Sequence, residues 1–226
     1  MTPMELPYAH YGMLASIYAF PEEGYTARLL DCQKALDRYL PEAGALLDPF
    51  TGQMSSMTLT EQQELFTRSF EVQSVTTLDL GYVLFGDDYK RGELLVNLNR
   101  ECREAGVECG VELADHLYNV LRLLPELKDP VLQRDLAERI IWHALKRMIC
   151  SFGPELVAEQ DAFYKKKYKT ILERPIGHFL VYSHALQALY VLLEKDFQLE
   201  DRPLAEQQSD FLKNLQAEVA LEDAGS

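Results

Sequence analysis

Apolar residues recur at three- and four-residue spacing along nearly the whole chain, which predicts helices joined by short breaks. Tyr8 to Phe20 reads as a short apolar helix stopped by Pro21. Gly24 to Leu40 is amphipathic, with Leu29, Leu30, Leu36 and Leu40 in or near one stripe, and Pro41 ends it. A loop is expected from about Asp48 to Met57, where Pro49, Gly52 and two serines fall. Thr60 then reads as an N-cap, with Gln63 three residues on, for a helix carrying Leu65, Phe66 and Phe70 inward. Ser74 to Phe85 is mixed. Val75, Thr76, Thr77 and Val83 favour a strand by propensity, but Leu78, Tyr82 and Phe85 have helical spacing, so a short helix is expected from about Thr77.

The next helix runs from Asp87 to Ala105 with Leu94, Leu95, Leu98, Cys102 and Ala105 on one face, and Gly106 is its stop signal. Glu112 to Leu124 follows, ending at Pro125. Asp129-Pro130 opens a long helix to about Phe152, with Leu132, Leu136, Ile140 and Leu145 inward, broken by Gly153-Pro154. Residues 155–173 are amphipathic, and an apolar helix is expected from His178 to about Phe197. The stretch from Pro175 to Leu193 has no Asp, Glu, Lys or Arg. Its length approaches a membrane span, but His178, Ser183, His184 and Gln187 fit the buried central helix of a bundle better. With no strand series and no repeat, the fold class is all-α: a single-domain bundle of roughly eight to ten helices. Residues 1–200 form that domain. Residues 201–226 are an acidic C-terminal extension, expected to be partly helical or disordered.

Composition fits this picture. With 226 residues and 47% hydrophobic positions, the chain is long enough to bury a sizeable core. A formal charge of −14 argues against nucleic-acid binding, which needs a concentrated basic surface. It favours a basic partner or simple solubility. The four cysteines, Cys32, Cys102, Cys109 and Cys150, are scattered, so reduced, buried thiols are expected rather than a disulfide framework. The N-terminus has no basic region or clean cleavage site, so no secretory signal is read. Localisation is therefore expected to be cytoplasmic.

Catalytic and metal signals are weak. No Gly-x-Ser-x-Gly, His-Glu-x-x-His or glycine-rich phosphate loop is present. His143 and Cys150 are seven apart, His178 and His184 six apart, and Cys102 and Cys109 straddle Gly106. None has the spacing of a strong ligand set. The run Tyr164-Lys165-Lys166-Lys167-Tyr168-Lys169 is the basic cluster of the chain and reads first as a solvated helix face.

Two blocks stand out instead. Leu65 to Leu98 is dense in aromatic and apolar residues, and Glu112 to Leu124 carries Asp115-His116-Leu117. On a helix, Leu113, Leu117, Val120, Leu121 and Leu124 would share one face, with Asp115, Asn119 and Arg122 roughly opposite and His116 on the boundary near Glu112. The bland interpretation is a surface carboxylate and a histidine paired with Glu112 at i, i+4. The functional one is a groove or partner face. Tyr82, Phe85, Tyr89 and Arg91 form a second constellation of types favoured as interface anchors. Core packing is expected for Phe85, Phe66 and Phe70, and an edge position for Tyr82 and Tyr89. Asp79, Asp87, Asp88 and Asp115 would supply an acidic rim suited to a basic amphipathic peptide.

The Leu-Phe-x-x-x-Phe segment, the aromatic turn ending at Gly86, the Arg91-Gly92 pair and Asp115-His116-Leu117 resemble the cytoplasmic chaperones that assemble molybdenum enzymes. Within that TorD/DmsD/NarJ group they are most similar to the NarJ-like nitrate-reductase branch. The likeness covers about residues 60 to 150, and the rest by helical pattern. Ala114 and Tyr118 stand where many relatives carry proline, a departure that bears on the shape of the loop before the signature.

The resemblance implies a non-enzymatic chaperone. Its partner would be the apo catalytic subunit of a molybdenum oxidoreductase, held through a basic amphipathic N-terminal segment. The chaperone would support insertion of molybdopterin guanine dinucleotide into that subunit without keeping a cofactor or metal of its own, and without entering the membrane. The client-binding residues so implied are Asp79, Tyr82, Tyr89, Arg91, Asp115, His116, Leu117, Asn119 and Arg122. The alternative is a small all-α ligand- or metal-binding protein, or an enzyme, using Tyr182, His178 and His184.

Overall fold

A computed structural model describes residues 8–153 and 180–200. Over these residues the chain is an all-α bundle. α1 (Ala9–Leu14) runs on as a 3₁₀ turn, Ala15–Tyr18, before Pro21. α2 (Tyr25–Tyr39) buries Tyr25, Leu29, Cys32 and Leu36, the expected stripe. Leu30, by contrast, is exposed, one position off that face.

The expected loop from Asp48 to Met57 does not exist. α3 (Pro41–Ser56) runs unbroken through Pro49 and Gly52. Leu47, Phe50 and Met54 lie on one side of it and are fully buried, packed between α2 and the last helix. Each such burial stabilises by about 1.5–3 kcal/mol, which together outweighs the ~3 kcal/mol cost of an interior proline. α4 (Leu59–Phe70) starts two residues earlier than expected. Its capping box is Thr58 with Glu61: the Thr58 N–H donates to Glu61 Oε2 at 2.7 Å and the Glu61 N–H to Thr58 Oγ1 at 3.4 Å. The carboxylate at N3 makes this the better box than Thr60 with Gln63.

α5 (Leu80–Phe85), α6 (Tyr89–Ala105) and α7 (Leu117–Leu123) follow. α6 ends where expected, at Gly106, whose φ of 72° is a left-handed stop that a side chain would resist. α8 (Pro130–Asp135) and α9 (His143–Ser151) are one continuous helix joined by a π-helical stretch, Leu136–Trp142. Ile140, Ile141 and Trp142 are buried in succession there, and the wider turn rephases the helix against its neighbours. Leu132 is only half-buried, and Gln133 takes the inward place, donating to the Leu124 carbonyl at 2.8 Å.

α10 (Val181–Phe197) is the central helix. Tyr182 lies fully buried among Phe50, Phe66 and Phe70 in edge-to-face and tilted ring contacts. Of the residues named by the alternative reading, Tyr182 belongs to this aromatic cluster, His184 is half-buried, and His178 lies outside the described residues. No helix among the described residues is long and apolar enough to cross a membrane. The amphipathic stretch 155–173, the lysine run 165–169 and the acidic extension 201–226 also lie outside the described residues.

α1 is fastened to the C-terminal end of α10 through Asp196. That carboxylate accepts from Tyr11 Oη at 2.9 Å and from Tyr39 Oη at 2.7 Å, and lies 2.7 Å from His10 Nε2. Its side chain is only 2% exposed. Tyr8 stacks on Phe197 beside it.

Candidate functional site

The β-branched residues before α5 act on the chain after all. The chain from Val75 to Asp79 is non-helical, with bends at Val75 and Leu78 and Asp79 extended, and the helix begins only at Leu80, not at Thr77. Non-helical chain leaves backbone groups to be paired. They pair with the turn before α7: the Leu80 N–H donates to the Asp115 carbonyl at 2.9 Å, and the Leu117 N–H to the Leu78 carbonyl at 2.8 Å. Asp79 and His116 thus form an isolated antiparallel bridge. Two segments almost forty positions apart in sequence are tied into one knot.

That knot corrects the expected helix from Glu112. Residues 112–116 are turn and loop, and His116 is the N-cap of α7, its Nδ1 accepting from the Tyr118 N–H at 3.2 Å. Glu112 and His116 are therefore not stacked on a helix face, although the Glu112 charge still acts on the imidazole. Burial holds the His116 imidazole below its ordinary pKa, and the capping bond needs Nδ1 bare, so both favour the neutral ring. Leu113, expected in the core, is half exposed, whereas Leu117, Val120, Leu121 and Leu124 are fully buried as the helical spacing implies.

Asp115 is not a rim residue. It is fully buried beneath α5 and the first turn of α6. Arg91 reaches it from α6: Nε donates to Asp115 Oδ2 at 3.0 Å, while the terminal nitrogen donates to Asp79 Oδ2 at 2.8 Å. One guanidinium therefore serves two carboxylates. Asp115 Oδ1 has no protein partner. Burial pushes the Asp115 carboxyl above its ordinary range; Arg91 pulls it back and Asp79 adds to the rise. Arg91, although burial opposes its charge, is held more firmly protonated by Asp115 and Asp79.

Gly81 is a requirement of this geometry. A Cβ there would stand 2.6 Å from Asp115 Oδ2 and 3.1 Å from the Arg91 side chain. Sequence reasoning passed over Gly81, because a glycine on a short helix carries no spacing signal; only the approach of another segment reveals it.

Asn119, expected opposite the leucines, is fully buried as well. Its Nδ2 donates to the carbonyls of Leu113 at 2.9 Å and Cys109 at 3.1 Å. It ties down the loop that leads to the knot. Arg122 does the same from the next turn, donating to the Glu108 carbonyl at 2.7 Å while lying over the Tyr118 ring.

What remains accessible is a small set. Tyr82 is 44% and Tyr89 68% exposed. Phe85 is half-buried against the core. The Arg91 guanidinium lies 5.3 Å from the Tyr82 ring centroid, so the knot also fixes the ring above it. Asp87 and Asp88 are exposed next to these tyrosines, with Asp88 capping α6 through the Lys90 N–H. Arg147 of α9 closes the other end of α5, donating to the Leu84 carbonyl at 2.7 Å and the Val83 carbonyl at 3.1 Å. α5 is thus held at both ends while its aromatic face is presented.

Two adjoining grooves, which no sequence motif marks, flank the end of α6. One of about 420 Å³ is lined by Ala9, Gly12, Gly106, Arg122, Pro125 and Glu126. The other, about 180 Å³, brings Glu101, Glu104, Glu126 and Asp129 around a single Lys128. Among the described residues no group of three or more His, Cys, Asp or Glu side chains is placed to hold a metal ion.

Of the nine residues expected to meet a client, four (Asp115, His116, Leu117 and Asn119) are buried and shape the scaffold. Tyr82 and Tyr89 face outward, and Asp79, Arg91 and Arg122 stand between the two sets. No family model matches this chain, and no curated protein matches it.

Proposed function

We propose that the protein is a system-specific assembly chaperone for a molybdenum oxidoreductase, with a nitrate-reductase-like enzyme as the leading client. The observation that carries this reading is the outward pair Tyr82 on α5 and Tyr89 at the start of α6, over the buried link of Arg91 to Asp79 and Asp115. A partner surface gains from aromatic anchors held in place beforehand, because less freedom is lost on binding. The exposed Asp87 and Asp88 beside them, and the net charge of −14, suit a basic amphipathic segment. The likeness of the aromatic turn, Arg91-Gly92 and Asp115-His116-Leu117 to the chaperone family supplies the client class.

The function is binding, not catalysis. The chaperone holds the N-terminal segment of the apo catalytic subunit until molybdopterin guanine dinucleotide has been inserted into that subunit. It needs only to bind the immature state better than the mature one. In this reading Tyr82 and Tyr89 touch the client, while Asp115, His116, Leu117 and Asn119 hold the face in shape.

The test is titration of the protein with a peptide of the N-terminal segment of a nitrate-reductase catalytic subunit. Tyr82→Ala with Tyr89→Ala should weaken binding about tenfold or more, a loss of about 1.4 kcal/mol, with the fold unchanged. High salt should weaken it further. Purification of the tagged protein from its own host should bring along the apo catalytic subunit, enriched when cofactor synthesis is blocked. A protein that arrives alone, carrying a metal or small molecule, would sink the proposal.

A further inference from the structure

α6 has one side in the core, where Leu94, Asn97, Leu98 and Cys102 are buried, and one side bare. Its exposed side carries Tyr89, Gly92, Val96, Asn99 and Arg103, at alternating spacings of three and four. That spacing makes a straight stripe, the seam along which one helix packs on another. Charge enters the stripe only at its far end, with Arg103. Tyr89 is 68% and Val96 69% exposed. A solvent-facing helix side ordinarily carries charged residues. Gly92 sharpens the point. Glycine inside a helix is less stable than alanine, yet a Cβ there would meet nothing within 4 Å. No neighbour among the described residues calls for a glycine, whereas the close approach of a second backbone does.

The edge of the stripe decides the occupant. Glu93 and Arg100 lie on the same edge, one heptad apart. When a second α6 is laid antiparallel about an axis through Val96, Glu93 of each copy faces Arg100 of the other. Tyr89 then faces Arg103, a cation over a ring, and Gly92 makes room for Asn99. Val96 meets itself on the axis. The two helix dipoles run opposite, which favours the same arrangement. A parallel pair would instead bring Asp88 towards Glu93 of the other copy. Arg100 is free to exchange partners, since its present contact, with Glu101 at 3.3 Å, is a weak one.

From this self-complementarity we infer that the protein forms a two-fold homodimer by antiparallel packing of α6 on α6 about Val96. A charge of −14 on each copy opposes association, so the dimer is weak and belongs to micromolar concentrations and above. It covers Tyr89, so a second copy and a client would compete for that ring. This last consequence alone rests on the function proposed above.

The test is sedimentation equilibrium of the full chain without any client, at moderate salt. A monomer–dimer equilibrium is expected. Val96→Glu should raise the dissociation constant about a hundredfold, because two like charges would meet on the axis. Val131→Glu on α8 makes the same charge change at a site 68% exposed and should leave association unaltered. Glu93→Arg alone should weaken the dimer, and adding Arg100→Glu should restore it. Cross-linking fixes the register. Cys150 is exposed at the end of α9, against the expectation of buried thiols, and is first changed to Ser. In that chain Val96→Cys should link to itself on mild oxidation. Arg103→Cys should not, because its two copies would lie about 21 Å apart along the helices. A chain that stays monomeric at high micromolar concentration, or a dimer that Val96→Glu leaves intact, would overturn the inference.

Discussion

Asp115 and Asp196 are both carboxylates in the interior, and the protein solves their burial in opposite ways. Asp196 receives two tyrosine hydroxyls and faces His10. Burial raises its pKa, but His10, Tyr39 and Tyr11 more than offset that, and the carboxyl lies below its ordinary value of 3.8. Asp115 receives one donor, from an arginine it shares with Asp79, and keeps an oxygen without a protein partner. Its carboxyl lies above the ordinary value. The first is a fastener, worth more folded than unfolded. The second is a support whose buried charge a shared arginine only partly offsets. That geometry lies directly under Tyr82 and α5, the face proposed to meet a client.

The sign of the pH dependence separates them. Asp196 binds its proton less readily when folded, so its contribution is present above about pH 4 and is lost as pH falls through its folded pKa. Asp115 binds its proton more readily when folded. Ionised at neutral pH it subtracts from stability, and acidification through its folded pKa returns that loss.

Four experiments would break or sharpen this contrast. The largest effect is expected from Arg91→Met, which leaves Asp115 and Asp79 together without their cation. Denaturant unfolding should show a loss of about 3 kcal/mol at pH 7, shrinking in acid as Asp115 takes up a proton. An unchanged midpoint would mean that Asp115 is already neutral. Next is Gly81→Ala, whose Cβ meets the Asp115 carboxylate; overpacking should cost about 2 kcal/mol, and the Tyr82 environment should change in near-ultraviolet circular dichroism.

The third experiment compares Asp196→Asn with Asp115→Asn. The former loses charge-assisted bonds and should cost about 1.5 kcal/mol at pH 7, the difference from the parent closing as pH falls below about 4. The latter keeps an oxygen for Arg91 and sheds a buried charge, so it should cost less than about 1 kcal/mol. Equal losses would end the distinction between fastener and support. The smallest effect is Tyr89→Ala, within about 0.5 kcal/mol on stability because the ring is 68% exposed. A large destabilisation would show that Tyr89 is held in the fold and is not an anchor in waiting.

The sequence carried the bundle well where one helix face decides the outcome. Leu94, Leu98 and Cys102 of α6 lie inward as their spacing requires, and Gly106 stops the helix. It misled where two signals compete. Pro49 and Gly52 read as a loop, yet Leu47, Phe50 and Met54 are packed on both sides and hold the helix through them. It also misled at Glu112, where a continuous apolar pattern hides a turn. Nothing in residues 112–116 announces that their backbone partners lie at Leu78 and Leu80. Tyr82 and Tyr89 were legible as edge residues because a phenol rarely wastes its polar tip, and both are exposed.

By itself the sequence determined the helical class, most helix starts and stops, and the stripes that form the core, because those follow from local spacing, capping and breakers. Only the tertiary structure decided that Asp115, His116 and Asn119 lie inside and that Gly81 must lack a side chain. Each of those depends on a segment arriving from elsewhere in the chain, and the energy of such an encounter is written in no single stretch of residues.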